Sequence, residues 1–208
     1  PPAARTGRCR DALTGAMTHV EYLSSLEHLG IKLGLDQTRA LVAALGHPDR
    51  AFSSVVVAGT NGKGSVTAMV ERGLRAAGLR TGRFTSPHLV RLNERFAVDG
   101  VDIDDASLDA MAGRVRAAAR GLPALPSFFE ATTALAFEYF RAREVEFAVA
   151  EVGLGGRLDA TNILTPRVAV ITAVDLDHQA YLGDTLEAIA REKAAVIKPG
   201  SVAVLAPN

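Results

Sequence analysis

The sequence predicts an α/β domain: a mostly parallel sheet flanked by helices on both faces, with one small β-hairpin. Three observations carry this. Short apolar, β-branched runs alternate with longer segments of helical periodicity, as in chains built from strand–helix–strand units. A glycine-rich turn, Gly59 to Ser65, separates the first buried run from a helical pattern. The chemically unusual residues fall after Ala58, after Thr85, at Glu151 and after Thr172, at the carboxyl ends of the strand candidates, where parallel sheets gather ligands.

The elements follow in order. Thr18 and Glu21 have capping-box spacing, and Tyr22, Leu23, Leu26 and Leu29 recur at helical intervals, so a short helix runs to Leu29 and stops at Gly30. Asp36 is placed to cap a second helix carrying Leu41, Val42 and Leu45, ending near Gly46 and Pro48. Val55–Ala58 reads as a buried strand. A helix from Lys63 carries Val66, Met69, Val70 and Leu74 and ends at Gly78, and Arg80–Thr85 is a second short strand. Asp99-Gly100 between β-prone runs predicts a two-residue hairpin turn. Helices over Asp105–Arg120 and Ser127–Arg143 flank the linker GLPALP, the second with Phe128, Thr132, Leu135, Ala136 and Tyr139 on one side. Strands over Glu146–Val152 and Arg167–Thr172 come next. A helix opened by Asp184 or Thr185 runs to Ile197, where Pro199-Gly200 stops it, and Val202–Leu205 is a last strand.

The totals narrow the function classes. With 208 residues, one or two domains are expected. Lys+Arg and Asp+Glu both total 23, so the overall charge gives no support for a nucleic-acid or anionic-membrane surface. No apolar run approaches the ~18 residues of a membrane span. Cys9 is the single cysteine, which excludes an internal disulfide and makes a reducing cytoplasm the expected compartment. Residues 1–17, Ala/Arg-rich and without a periodic apolar face, read as a disordered extension before a start at Met17.

The glycine loop invites a phosphate. Glycines let consecutive N–H groups turn toward an anion without a Cβ in the way, and the helix that follows adds the positive end of its dipole. Gly59, Thr60, Asn61, Gly62, Lys63, Gly64 and Ser65 are therefore the nucleotide-binding candidates. Lys63 would reach the β- and γ-phosphates, and the Ser65 hydroxyl would face Mg²⁺. The loop departs from G-x-x-x-x-G-K-[ST], with Val57 in place of the first glycine and Gly64 between lysine and serine. A glycine-rich turn with a surface lysine is the alternative.

GTNGKGS resembles the nucleotide loop of the Mur ligase superfamily. TSPHLVRLNERF (Thr85–Phe96), SFFEATTALAF (Ser127–Phe137), EVGLGGRLDATN (Glu151–Asn162) and LDHQAYLGDTLEAIAREKA (Leu176–Ala194) narrow the likeness to folylpolyglutamate synthase/dihydrofolate synthase. The resemblance implies a P-loop NTPase-like Mur ligase central domain over residues 18–208, incomplete, with a C-terminal ligase domain outside it. It also implies an ATP-dependent amide ligase that adds L-glutamate to dihydropteroate or a reduced folate through an acyl phosphate, acting as a monomer. An inert Mg-ATP-binding module derived from the family is the alternative.

The resemblance also assigns roles. Ser65, Glu151 and His178 match a magnesium site. Glu151 ends an apolar strand, where an unpaired buried carboxylate would be costly, and a pairing with Arg157 is the alternative. A structural role in its loop is the alternative for His178. Lys193 matches a lysine the family carbamylates, which would make it an oxygen ligand, or near-ligand, of a second magnesium; an ordinary helical lysine paired with Glu192 or Asp184 is the alternative. Lys63, Asp159, His178 and Lys193 are the catalytic set. Ser86, His88 and Asp159 match positions near the carboxylate substrate, with Asp159 orienting or deprotonating the incoming ammonium; local turn chemistry is the alternative. Arg91 is placed to meet an acidic substrate tail; a solvated surface charge is the alternative. Phe128 and Phe129 are expected in the core rather than as a pterin platform, and Glu130 has no assigned role.

Overall fold

The computed structural model describes residues 17–207, so the expectation for the N-terminal extension falls, but for Met17, outside the described residues. The elements are α1 (His19–Ser25), α2 (Asp36–Ala44), β1 (Ser53–Ala58), α3 (Lys63–Ala76), β2 (Thr81–Phe84), β3 (Phe96–Val98), β4 (Val101–Asp102), α4 (Asp105–Ala119), α5 (Phe128–Ala142), β5 (Phe147–Glu151), β6 (Val168–Ile171), α6 (Gln179–Leu182), α7 (Leu186–Ala194) and β7 (Val202–Leu205). They build one seven-stranded sheet in the order β4-β3-β2-β5-β1-β6-β7. The five strands from β2 to β7 in that order run parallel, and the β3–β4 hairpin adds the antiparallel edge. The chain leaves β1 toward β2 on one side and later passes from β5 to β6 on the other. The switch point therefore falls beside β1, directly under the glycine loop.

The β-strand period of two sorts the core onto two faces. Val55 and Val57 of β1 and Val149 of β5 pack against Val66, Val70 and Leu74 of α3. Val56, Ala58, Ala148 and Ala150 point to the opposite face, into the larger core with Leu135, Phe137 and Phe140. That face is covered by α5, which carries α1, α2 and α4 on its far side. Residues Glu130 to Phe140 are consequently buried all round, where the sequence pattern gave one apolar side. The two acids in that run are both engaged. Glu130 completes a capping box with Ser127, and Glu138 is held by Arg114 and Arg141.

Caps and turns follow the sequence closely. Thr18 and Glu21 form the expected capping box. Asp99 and Gly100 take φ of 51° and 76°, the left-handed pair that a two-residue hairpin turn needs. Thr185, not Asp184, caps α7 through Ala188 N–H. Two expectations are corrected. Asp36 is the first residue of α2 rather than its cap, because Leu35 occupies the cap position. The last helix ends at Ala194, short of Ile197. Three-residue-turn pieces at Pro48–Arg50, Leu92–Arg95 and Ala160–Ile163, and the four-residue α6, are too short to show a periodicity.

Gly82 of β2 lies close against α5: a Cβ there would sit 2.8 Å from the Phe140 ring. Gly82→Ala is expected to lose about 1–3 kcal/mol by overpacking. The check is a lower urea midpoint with an unchanged slope.

Candidate active site at the carboxyl ends of the strands

The loop after β1 is held by its neighbours through its carbonyl groups. Lys63 Nζ donates to Thr60 O (3.1 Å), Thr172 Oγ1 to Asn61 O (2.7 Å), and Lys193 Nζ to Gly59 O (2.8 Å). Thr60 is stitched to the segment after β6: its N–H donates to Ala173 O (2.8 Å), and its hydroxyl accepts from Asp175 N–H (3.0 Å). Gly62, at φ 81°, turns the chain into α3. Asn61, Gly62 and Ser65 remain exposed at the start of that 14-residue helix, an arrangement suited to an anion.

Glu151 ends β5 in register with Val57, one residue before the end of β1. Its carboxylate reaches across to the first turn of α3, where even a Cβ on Gly64 would sit 3.5 Å from it. The residue is 5% exposed. Burial pushes its carboxyl above the usual range, against the opposing pull of the Ser86 N–H (3.1 Å), Lys63 and Arg95. The pairing of Glu151 with Arg157 is not what forms: Arg157 goes to Glu192 instead (2.8 Å).

That same ion pair leaves Lys193 free to turn inward. Neither Glu192 nor Asp184 holds it. It is 4% exposed with its amine on the glycine loop. Burial, then the charge of Lys63, pulls its pKa down from 10.5 to about 8. The backbone of α7 can come this close because Gly156 has no side chain: a Cβ there would meet Glu192 O at 2.6 Å.

A cavity of about 430 Å³ opens at this end of the sheet, with Ser86, Asp159, His178, Ile31, Leu33, Phe128 and Phe129 in its lining. Phe128 and Phe129 thus pack on the core and face the cavity too. Asp159 is buried, which raises its carboxyl pKa. Its oxygens accept from Thr161 N–H (3.0 Å), Thr161 Oγ1 (2.6 Å) and Leu154 N–H (2.9 Å). His178 sits at φ 48° with a half-exposed ring 3.6 Å from Asp177.

Among the expected site residues, the structure gathers Gly59–Ser65, Glu151, Ser86 and Lys193 around the loop, and Asp159 and His178 around the adjoining cavity. Among the described residues no cluster of three His, Cys, Asp or Glu stands ready for a metal; the expected magnesium set contains only two such residues. Arg91 lies elsewhere, paired with Asp105 (2.6 Å). His88 stands behind Arg95, whose Nε donates to its Nδ1 (2.9 Å). Arg95 is the residue that sequence reasoning missed. It lines the cavity, is nearly buried, and lies 5.0 Å over the Phe128 ring. The available signal was an arginine abutting the apolar run Phe96–Val98.

A switch-point sheet with a glycine loop, a buried strand-end carboxylate and an adjoining cavity defines an α/β domain of the ligand-gathering kind. The chain belongs to the Mur ligase middle domain family, whose profile matches residues 57–206. The chain is 43% identical over 176 residues to the dihydrofolate synthase/folylpolyglutamate synthase of Bacillus subtilis, covering 82% of this chain and 41% of that protein. The structure of Escherichia coli FolC in complex with DHPP and ADP superposes with a TM-score of 0.86 at 39% identity, over 91% of this chain and 46% of that one. A bifunctional folylpolyglutamate synthase/dihydrofolate synthase with Mn, AMPPNP and L-glutamate bound does so with a TM-score of 0.83 at 39% identity, over 91% and 46%. The chain spans less than half the length of these relatives. The expected fold, a mostly parallel sheet of Mur ligase central type, is the one observed.

The Lys193 ammonium is expected to titrate near pH 8, read from its side-chain ¹⁵N shift, with Lys63→Met moving the midpoint upward. The folded value lies below the unfolded 10.5, so the unfolded chain binds more protons between the two. Lys193 therefore makes the fold more stable as pH rises from about 8 to 10.5 and adds no pH dependence below that window.

Proposed function

We propose that this chain forms the nucleotide-binding part of an ATP-dependent ligase that joins L-glutamate to dihydropteroate or a reduced folate. The observation that carries the reading is the buried Glu151 carboxylate against the first turn of α3, beneath a glycine loop flanked by Lys63 and Lys193. A buried acid in that place has a use for a cation, and a helix start has a use for an anion; a metal-bound triphosphate supplies both. The relatives crystallised with ADP or with Mn and AMPPNP support the same assignment.

Ser65, Glu151 and His178 would hold Mg²⁺, and Lys193, if carbamylated, a second ion. The metal would neutralise phosphate charge. The lowered pKa of Lys193 favours the amine form that carbamylation requires. The left-handed backbone of His178, uncommon for a residue with a side chain, fits a ring held for a purpose rather than for packing.

Lys63 leaves the Thr60 carbonyl to meet the β- and γ-phosphates. The acid substrate lies in the cavity with its ring system among Ile31, Leu33, Phe128 and Phe129 and its carboxylate toward Ser86 and the loop. Arg95 reads the substrate's polar edge. The carboxylate attacks the γ-phosphorus and ADP leaves; the amine of glutamate, once its ammonium has lost a proton, attacks the carbonyl carbon of the resulting acyl phosphate, the amide C–N bond forms and inorganic phosphate leaves. Asp159, in the lining of the cavity, orients or deprotonates that ammonium. The chemistry is positioning and charge neutralisation rather than covalent catalysis. A cytoplasmic, monomeric protein is part of this reading, with glutamate held by the part of the relatives' length that this chain does not span.

Three measurements test this. Mg²⁺ should tighten ATP binding to the 208-residue chain, and Glu151→Gln or Ser65→Ala should abolish most of that gain, by about tenfold or more in calorimetric titrations. The chain alone should bind Mg·ATP weakly and release no ADP in response to glutamate. Equal ATP affinity with and without Mg²⁺ in the unsubstituted chain would overturn the reading. Arg95→Ala should weaken binding of dihydropteroate and leave ATP affinity unchanged.

A further inference from the structure

We propose that Thr172, just past the end of β6, is a positioning residue that sets the direction of the phosphate-facing Gly62 N–H; the inference rests on the nucleotide reading above. The Thr172 N–H donates to Ala58 O (2.8 Å), so the strand pairing already satisfies that carbonyl. The hydroxyl is then free to donate across to Asn61 O at 2.7 Å, much closer than its 3.3 Å approach to Ala58 O. It can reach only because Gly59 is bare: a Cβ on Gly59 would lie 1.7 Å from Thr172 Oγ1.

A trans peptide is planar, with its C=O and the following N–H pointing in opposite directions. Drawing the Asn61 carbonyl inward to Thr172 therefore turns the Gly62 N–H away from β6, toward the exposed side of the loop. Lys63 acts on the peptide before it in the same way, holding Thr60 O and turning the Asn61 N–H. The Lys63 hold is temporary, because its ammonium is also the group that meets the phosphates. Thr172 has no such second task, and its backbone is fixed in the sheet, so it preserves the loop's donor geometry while Lys63 changes partners. Without the hydroxyl, the peptide between Asn61 and Gly62 has, among the described residues, no other partner holding it in the orientation that presents its N–H.

The test compares Thr172→Val, close in shape but without the hydroxyl, with Thr172→Ser, which keeps it. Measurements are the ATP dissociation constant and the urea midpoint on the 208-residue chain, and the Gly62 amide resonance. Thr172→Val should weaken ATP binding about tenfold or more, the scale of a hydrogen bond to a charged group. Thr172→Ser should stay within about twofold of the unsubstituted chain. In the unsubstituted chain the Gly62 amide proton should move downfield on saturation with ATP, and in Thr172→Val it should not. Unchanged ATP affinity in Thr172→Val overturns the inference, as does equal weakening in both variants, which would mean packing alone. Should the valine variant fold too poorly to titrate, the unsubstituted chain still decides: a Gly62 amide that ATP leaves unmoved overturns the inference. An unsubstituted chain that fails to bind ATP overturns the nucleotide reading itself, and this inference with it.

Discussion

A carboxylate buried at the end of a strand constrains everything around it. Glu151 cannot be left alone in an apolar sheet end without a large desolvation cost. The chain answers with a backbone N–H from Ser86, with Lys63 and Arg95 nearby, and with a helix start against which the carboxylate rests. These partners reduce the cost without removing it, since the carboxyl remains above its ordinary range. The register of β5 on β1 fixes the height at which this happens. Val57 pairs with Glu151, so the carboxylate reaches the level at which the glycine loop begins.

The loops around that point pack backbone against side chain and backbone against backbone, and glycine is the device that permits it. Gly59 admits the Thr172 hydroxyl, and Gly156 admits the end of α7. The Arg157–Glu192 pair fixes α7 from outside, which leaves Lys193 as the residue of that turn directed at the loop. Two lysines thus converge on one glycine loop from opposite directions, one from within it and one from a helix 130 residues later in the chain.

The legibility of this arrangement in the sequence tracks the range of the interactions involved. The strands, the hairpin turn at Asp99-Gly100, the capping boxes at Thr18 and Ser127 and the glycine loop are local patterns, written in residues within a few positions of one another. The full burial of α5 was not legible, because a helix covered on every side differs from a half-buried one only in what lies beyond it. Arg95, by contrast, owes its place to Phe128 and His88, partners 33 and 7 residues away, and no short spacing announces them. Arg91 shows the converse. Its type and motif suggested a ligand, and a local acid, Asp105, claims it instead. The pairings of Glu151 with Arg157 and of Lys193 with Glu192 fail for one shared reason, the prior claim of Arg157 on Glu192.

The parked state of the two lysines bears on how an anion would enter. Each ammonium rests on a loop carbonyl, a neutral acceptor, while the nearest buried acid is the one whose charge burial disfavours. Lys193 shows the consequence, with an amine driven toward its neutral form first by desolvation and then by Lys63. A polyanion arriving at the helix start would replace the Thr60 carbonyl as the partner of Lys63, and so reverse the balance around Lys193, where a nearby negative charge favours the ammonium. A cation held at Glu151 would act in the opposite sense on both groups, keeping the carboxylate ionised and the Lys193 amine neutral. Nucleotide and metal therefore pull the protonation of Lys193 in opposite directions. By the same signs, the neutral amine required for modification would be better maintained when a cation accompanies the nucleotide than when the nucleotide binds alone.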